Sequence, residues 1–340
     1  MKICSYTLRN SVLKTPRLGI LLEETNTIVD PNLCLRLDYI RENAPNPIER
    51  ADYNLNPSLS HILKYSDDPI ETIEKGYALY LFFQKVGINE LPDGTPISFT
   101  LDKEIKFEKP LDKIETYRDF YAHEKHVATG FKKRNEPVPE AWYEIPAYYK
   151  GAVNGFIGPE DEIVWPHYTD KLDYELELAV VLGKGGRNIK VGDANNHIFG
   201  YTILNDISAR DIQKKEMAVR LGPAKGKDFC SVIGPVITTA DEFDFKEPNL
   251  NMVAKINGKE WSNGQSGDSH YTFAQMIAHA SMDEFLNAGD LIGSGTVGTG
   301  CGLELDKWIK EGDEVELIVE HIGSLKNKVG KKRKLNYGEL

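Results

Sequence analysis

Cysteine is scarce and scattered in this chain. The four residues, Cys4, Cys34, Cys230 and Cys301, form no CxxC pair, so no disulfide framework is expected and a reducing compartment fits. Long apolar runs are missing as well. No stretch of about 18 apolar residues occurs, which argues against a membrane span. The start, MKICSYTLRN, lacks an apolar core and a cleavage signal, so the expectation is a cytoplasmic rather than a secreted protein. Positive charge is outnumbered: 41 Lys and Arg face 52 Asp and Glu, for a net charge of -11. That balance disfavours nucleic acid and anionic lipid as partners. The one dense basic run, KKRK at 331–334, reads as a solvated terminus.

Several motifs are absent or incomplete. GSGTVG (293–298) matches GxGxxG in letters, but a dinucleotide site needs a helix opening directly after it within a βαβ unit. Here GTGCGLELDKWI follows, read as turn and strand. What remains is a glycine-rich loop able to bring backbone N–H groups near an anion. GKGGRN (183–188) lacks the P-loop ending, and HEKH (123–126) is not HExxH. No GxSxG elbow occurs, which removes the motif for serine-hydrolase chemistry.

What is present is an ordinary globular composition, 41% hydrophobic and 27% charged over 340 residues. The first hundred or so residues read as a small unit. RLGILLE and NTIVD form a hairpin pattern. Helical spacing follows in SLSHILKYS and in IETIEKGYALYLFFQKVG, and strand and turn signals return in LPDGTPISFTLDKEIKF. A boundary near KPLDKIE divides a small N-terminal domain, 1–110, from a larger one, 111–340. The larger part is strand-rich: DYELELAVVLG, HIFGYTILND, SVIGPVITT, NMVAKING, DLIGSGTV, LELDKWI and EVELIVEHIG are separated by turn residues. YTFAQMIAHASM is its best helix, and KKRNEPVPEAWYEIP (132–146) reads as a long ordered loop or lid. Strand and helix do not alternate, so a doubly wound sheet is not expected. The fold class is α+β, predominantly β, with peripheral helices.

One pattern carries chemistry. In DYELELAVVLG, Tyr174, Leu176 and Leu178 alternate with Glu175, Glu177 and Ala179. The two glutamates sit on one face of a strand whose continuation is apolar. The plain explanation is a wet strand face; the sharper one is a metal site. Asp206 ends the apolar run GYTILND, and Asp119 stands in YRDFYAHEKH. Four such carboxylates could converge only around a cation, and oxygen ligands select Mg²⁺, Mn²⁺ or Ca²⁺ over zinc. Same-face glutamates about 7 Å apart along a strand can both bend onto one ion. Candidate catalytic groups are His126, seven residues after Asp119, Arg210 and Gln213 after Asp206, Lys227 in LGPAKGKDF, and Glu304 just beyond the glycine-rich loop.

Taken together, RDFYAHEKH, IPAYYKG, IGPEDEIVWP, DYELELAVVLG, HIFGYTILNDISARDIQ, LGPAKGKDF, GDLIGSGTVGTGCGLEL and IGSLKN resemble, in order, the fumarylacetoacetate hydrolase family over most of 115–330. The resemblance implies a mixed β-roll catalytic domain and a homodimer. It implies Mg²⁺ or Ca²⁺ on Asp119, Glu175, Glu177 and Asp206. His126 matches the general base and Glu304 the acid that orients it. Arg210, Gln213 and Lys227 match the groups that stabilise developing negative charge. Tyr121, Tyr149 and Thr296 match substrate-pocket residues. The activity implied first is Mg²⁺-dependent hydrolysis of a C–C bond in a diketo acid. The alternative is hydratase, dehydratase, isomerase or decarboxylase chemistry on a 2-oxo acid at the same site. A non-catalytic metal-stabilised binding protein would lack one of these groups. Two positions depart from the fumarylacetoacetate-cleaving pattern: Arg134 is one residue closer to His126, and Met217 replaces a tyrosine. The far end of the substrate is therefore expected to differ.

Overall fold

The computed structural model describes residues 1–10, 15–101 and 105–334. Among these residues, twelve strands form one large mixed sheet, and five more form a second. The centre of the large sheet is built from the most apolar segments. Leu176–Leu182 and Ile198–Asn205 are buried at every position and pair antiparallel, with Leu176 opposite Asn205 and Leu178 opposite Ile203. Ser231–Thr239 lies on the far side of Ile198–Asn205, and Leu291–Gly293 on the far side of Leu176–Leu182. Tyr117–Phe120 joins Leu291–Gly293 in parallel, setting Asp119 opposite Gly293.

A strand buried on both faces must feed two cores. Leu176, Leu178, Val180 and Leu182 enter one, and Ala179 and Val181 enter the other. The first core lies beneath the five-stranded sheet, where Met252, Ala254 and Ile256 alternate with half-buried residues. Its hairpin Asn251–Ile256 and Lys259–Gln265 turns at Asn257 and Gly258, both with positive φ. The second core lies beneath four N-terminal helices: Pro31–Arg41, Pro47–Asn54, Leu59–Tyr65 and Pro69–Lys85. Each fully buried Leu, Ile or Val is worth about 1.5–3 kcal/mol. That burial anchors the central strands and offsets the cost of acids carried at their ends.

The strand-dominated α+β class agrees with the sequence reading, and several local expectations change. LELDKWI is not a strand; Gly302–Leu305 forms a short helix, because Gly302 and Leu303 turn their N–H groups onto the Asp173 carboxylate. Helices Pro31–Arg41 and Pro47–Asn54 add to the two expected. The segment 132–146 contains a helical turn, Ala141–Glu144, tied down where Trp142 Nε1 donates to the Tyr121 carbonyl at 2.8 Å. In LDKEIKF, residues 102–104 lie outside the described residues, and Ile105–Glu108 is a strand pairing with Lys2–Leu8. Lys2–Leu8 also pairs with Ser231–Thr239, so the large sheet runs across residue 110. Among the described residues no helix is long and apolar enough to cross a membrane.

Candidate metal centre and its histidine

Two neighbouring strands of the large sheet and a third, one strand further along beyond Leu291–Gly293, bring four acids together. Glu175 and Glu177 lie at the start of Leu176–Leu182, Asp206 follows Ile198–Asn205, and Asp119 comes from Tyr117–Phe120. One carboxylate oxygen from each lies within 4.8 Å of the others, and all four residues are buried. Close approach depends on glycine here: a Cβ on Gly293 would fall 2.4 Å from Asp119 Oδ1. The glycine-rich loop does hold an anion, but it is the chain's own. Gly295 N–H donates to Asp119 Oδ1 at 3.2 Å, with Gly295 at φ +76.

Two buried cations serve this cluster. Lys227 Nζ donates to Glu175 Oε2 and Asp206 Oδ2, both at 2.5 Å. Arg210 Nη2 donates to Glu175 Oε1 at 2.7 Å, its Nε to Asp173 Oδ2 at 2.8 Å, and its Nη1 to Gln213 Oε1 at 3.0 Å. Burial works against the Glu175 charge, but Lys227 and then Arg210 outweigh it and hold its carboxyl below the usual range. Burial likewise opposes the Lys227 charge, yet Asp206 and Glu175 win and keep the ammonium protonated. Asp119 and Glu177 go the other way. Burial, then Asp206, pushes Asp119 well up; burial, then Asp119 and Glu175, pushes Glu177 well up.

Five buried carboxylates, counting Asp173, thus face two buried cations. The imbalance concentrates at Glu177. Thr296 Oγ1 donates to its Oε1 at 3.2 Å, while its Oε2 has no hydrogen-bond partner among the described residues. An unmatched buried carboxylate oxygen is costly. An all-oxygen donor set with surplus negative charge suits a hard divalent cation. Tyr149 and Ser231 complete the surroundings, donating to Asp206 Oδ2 at 2.6 Å and Oδ1 at 2.9 Å.

The histidine stands beside this cluster. His126 lies in the helix Glu124–Lys133, and its Nδ1 is 2.7 Å from Glu304 Oε1. Glu304 Oε2 accepts from Thr299 N–H at 3.0 Å, which fixes the carboxylate plane. Tyr121 meets the imidazole edge-on, with centroids 5.4 Å apart. His123, also buried, is driven down to about 4 by burial and then by His126, so it stays neutral.

All the candidate site residues singled out in the sequence fall in this region, and Arg134 lies at its edge, where its Nη1 and the Tyr121 hydroxyl both approach Gly130. Arg134 stacks over Phe131 at 4.2 Å and pairs with Glu136; Met217 is 51% exposed. Sequence reading passed over Asp173, which accepts from Arg210 and from the N–H groups opening the Glu304 helix. Its signal was available, because it shares strand parity with Glu175 and Glu177. Ser231 gave no such signal, since a serine opening an apolar strand is commonplace.

Fold and motif order together define the class. The fumarylacetoacetate (FAA) hydrolase C-terminal model matches residues 115–330. The chain belongs to the fumarylacetoacetate hydrolase family, and it is an enzyme of that family. Among its relatives, oxaloacetate tautomerase YisK of Bacillus subtilis is 38% identical over 164 residues, 48% of this chain and 53% of that protein. Mitochondrial oxaloacetate tautomerase FAHD2A of Homo sapiens is 34% identical over 200 residues, 58% of this chain and 62% of that protein. The matches thus span about half to three-fifths of those relatives. Fumarylacetoacetate hydrolase from Exiguobacterium antarcticum superposes with a TM-score of 0.69 at 22% identity, covering 98% of this chain and 100% of that one. Fumarylpyruvate hydrolase from Pseudomonas aeruginosa, in complex with Mn²⁺ and pyruvate, gives 0.56 at 19%, covering 67% and 92%. At those identities the likeness speaks for the fold.

Proposed function

We propose that this chain is a divalent-cation-dependent tautomerase of a short 2-oxo dicarboxylate, with oxaloacetate as substrate and Mg²⁺ as the cation. The observation that carries this reading is the sequence match to oxaloacetate tautomerases. It takes the isomerase side of the pair of activities expected from sequence, in place of C–C hydrolysis. Met217, standing where the fumarylacetoacetate-cleaving pattern has a tyrosine, offers no hydroxyl to a distal carboxylate, which favours a short substrate.

Asp119, Glu175, Glu177 and Asp206 would hold the cation. When bound, it supplies Lewis-acid stabilisation of negative charge on the 2-oxo oxygen. The chain's own groups do the rest. A carboxylate only accepts, so Glu304 requires the proton of His126 to sit on Nδ1, and Nε2 is the free base. Nε2 takes a proton from C3 of the keto acid, and the electron pair moves toward the carbonyl. Delivery of that proton from Nε2 to the oxygen gives the enol and restores the free base, and the reverse sequence gives the ketone. The buried setting of His126 limits proton loss to bulk water. Lys227 adds positive charge near the developing enolate. Arg210, held on Asp173 and Glu175, orients both Glu175 and Gln213. Gln213 keeps its amide N–H groups for substrate oxygen. Thr296 and Tyr149 hold Glu177 and Asp206 in place, and Tyr121 walls the base.

The test starts from crystalline enol-oxaloacetate dissolved in Mg²⁺ buffer, with the enol absorbance followed over time. The protein should speed equilibration. Chelation should remove the effect, and His126→Ala should cost about 10²–10⁴ in rate. Equilibration no faster than the blank would defeat the reading, as would faster release of pyruvate or cleavage of an acylpyruvate.

A further inference from the structure

The His126–Glu304 pair has a third neighbour that the proposed reaction leaves unused. Cys301 Sγ lies 3.6 Å from Glu304 Oε1, the same oxygen that meets His126 Nδ1 at 2.7 Å. Ligand atoms of all three residues lie within 4.8 Å of one another. Cys301 is buried, and its backbone is fixed by a bridge to Glu175. Glu304 is aimed in advance, because Thr299 N–H holds its other oxygen.

The donor set is one sulfur, one imidazole nitrogen and one carboxylate oxygen. Thiolate and imidazole favour zinc and similar borderline cations, whereas the neighbouring all-oxygen cluster favours hard ones. The spacing agrees with zinc. Tetrahedral Zn–S and Zn–O bonds of about 2.3 and 2.1 Å put sulfur and oxygen about 3.6 Å apart. That is the separation found between Cys301 and Glu304. The closer Nδ1–Oε1 contact is the hydrogen bond that His126 donates to Glu304, and it would open to about 3.4 Å around a metal.

We propose that His126, Cys301 and Glu304 form a second, zinc-type metal site whose occupancy switches off proton transfer by His126. The cation enters as its aqua ion and releases the Cys301 thiol proton to solvent. It takes the lone pair of Nδ1, so the imidazole proton moves to Nε2. Glu304 contributes its carboxylate, and one water stays in the fourth position. With hydrogen on Nε2, the imidazole has no lone pair to accept a proton from substrate. The inhibitory consequence rests on the tautomerase reading; the binding site does not.

Cobalt(II) serves as the probe, because thiolate ligation to it produces a near-ultraviolet charge-transfer band that oxygen ligands do not. The full chain is first saturated with Mg²⁺ and then titrated with Co²⁺. One equivalent should generate the band, Zn²⁺ should bleach it, and Cys301→Ser should lack it. Zn²⁺ inhibition, measured against each protein's own Mg²⁺-dependent rate, should weaken at least about tenfold in Cys301→Ser. Absence of the band from the native chain overturns the site, and so does a band that survives in Cys301→Ser. The band is read without substrate, so a chain inactive on oxaloacetate still tests the site. If Cys301→Ser folds poorly, Cys301→Ala gives the same comparison.

Discussion

Two buried acid clusters in this chain are built to opposite specifications. Asp30, near the N-terminal helices, is wholly buried and wholly satisfied. Its Oδ2 accepts from Arg17 Nε at 2.6 Å and Tyr6 at 2.8 Å; its Oδ1 accepts from Leu33 N–H at 2.9 Å and Arg17 Nη2 at 3.2 Å. One carboxylate meets one guanidinium, and the helix Pro31–Arg41 gains its cap. The cluster of Asp119, Glu175, Glu177 and Asp206 carries more negative charge than Lys227 and Arg210 supply, and it leaves Glu177 Oε2 without a partner among the described residues. A buried charge that serves stability is closed by the chain itself. A buried charge that serves a ligand is left open, at a cost recovered only when the ligand binds.

The largest expected effect breaks the open cluster. Glu175→Gln combined with Glu177→Gln should reduce Mg²⁺-dependent turnover to background. It should also abolish the stabilisation that Mg²⁺ gives the native chain, about 2.7 kcal/mol at a hundredfold excess over Kd. Calorimetric melting with and without Mg²⁺ reads both proteins. A full Mg²⁺ response in the double variant would mean the open cluster is as structural as the closed one.

Next in size is a cut in the closed cluster. Arg17→Met strands the Asp30 charge in the core and should cost about 3–5 kcal/mol in urea unfolding. The Mg²⁺-induced shift in melting should be unchanged. A variant that lost its Mg²⁺ response as well would show the two clusters to be coupled through the strand Lys2–Leu8, which pairs with both Arg17–Leu22 and Ser231–Thr239.

The contrast between clusters also marks what the sequence could disclose. The open one was legible because its acids break a simple rule: Glu175 and Glu177 alternate with apolar residues on a strand that becomes fully apolar, and Asp206 ends another. Motif order then joined them to Asp119, His126 and Glu304 across 49 to 129 residues of chain, which spacing alone cannot do. The closed cluster was not read, although Asp30 before Pro31 is a cap-and-proline helix start. The helix Pro31–Arg41 was missed because its apolar residues show little one-sidedness. The hairpin strand Lys259–Gln265 was missed despite the Asn-Gly turn before it, since its own residues are mostly polar. LELDKWI alternates like a strand, but the pull of Asp173 on two backbone N–H groups, set by residues 129 and 130 positions away, makes it helical. Local pattern yields to a long-range hydrogen bond there, and the consequence is functional, because Glu304 rides on that turn.

The smallest expected effect separates the clusters by sign. Asp119 and Glu177 titrate above the usual carboxylate range, through burial first and then through neighbouring acids. A group whose folded-state pKa is raised binds its proton more tightly folded than unfolded. Its contribution is complete below the ordinary carboxylate range and is lost as pH rises through the folded value. Chelator-treated protein should therefore lose stability on going from mildly acidic to alkaline buffer. Glu177→Gln removes one of the two groups that resist ionisation. Its amide keeps an acceptor for Thr296 and places an N–H donor among the acids. At alkaline pH the chelated variant should be more stable than the native chain. At mildly acidic pH the two should be alike, and with Mg²⁺ present the native chain should be the more stable. Asp30→Asn, in the closed cluster, should lose stability with or without Mg²⁺, because it weakens a charge-assisted pair to Arg17. If Glu177→Gln instead behaved like Asp30→Asn in chelator, the surplus charge would already be balanced within the chain, and the case for a divalent cation at those four acids would fail.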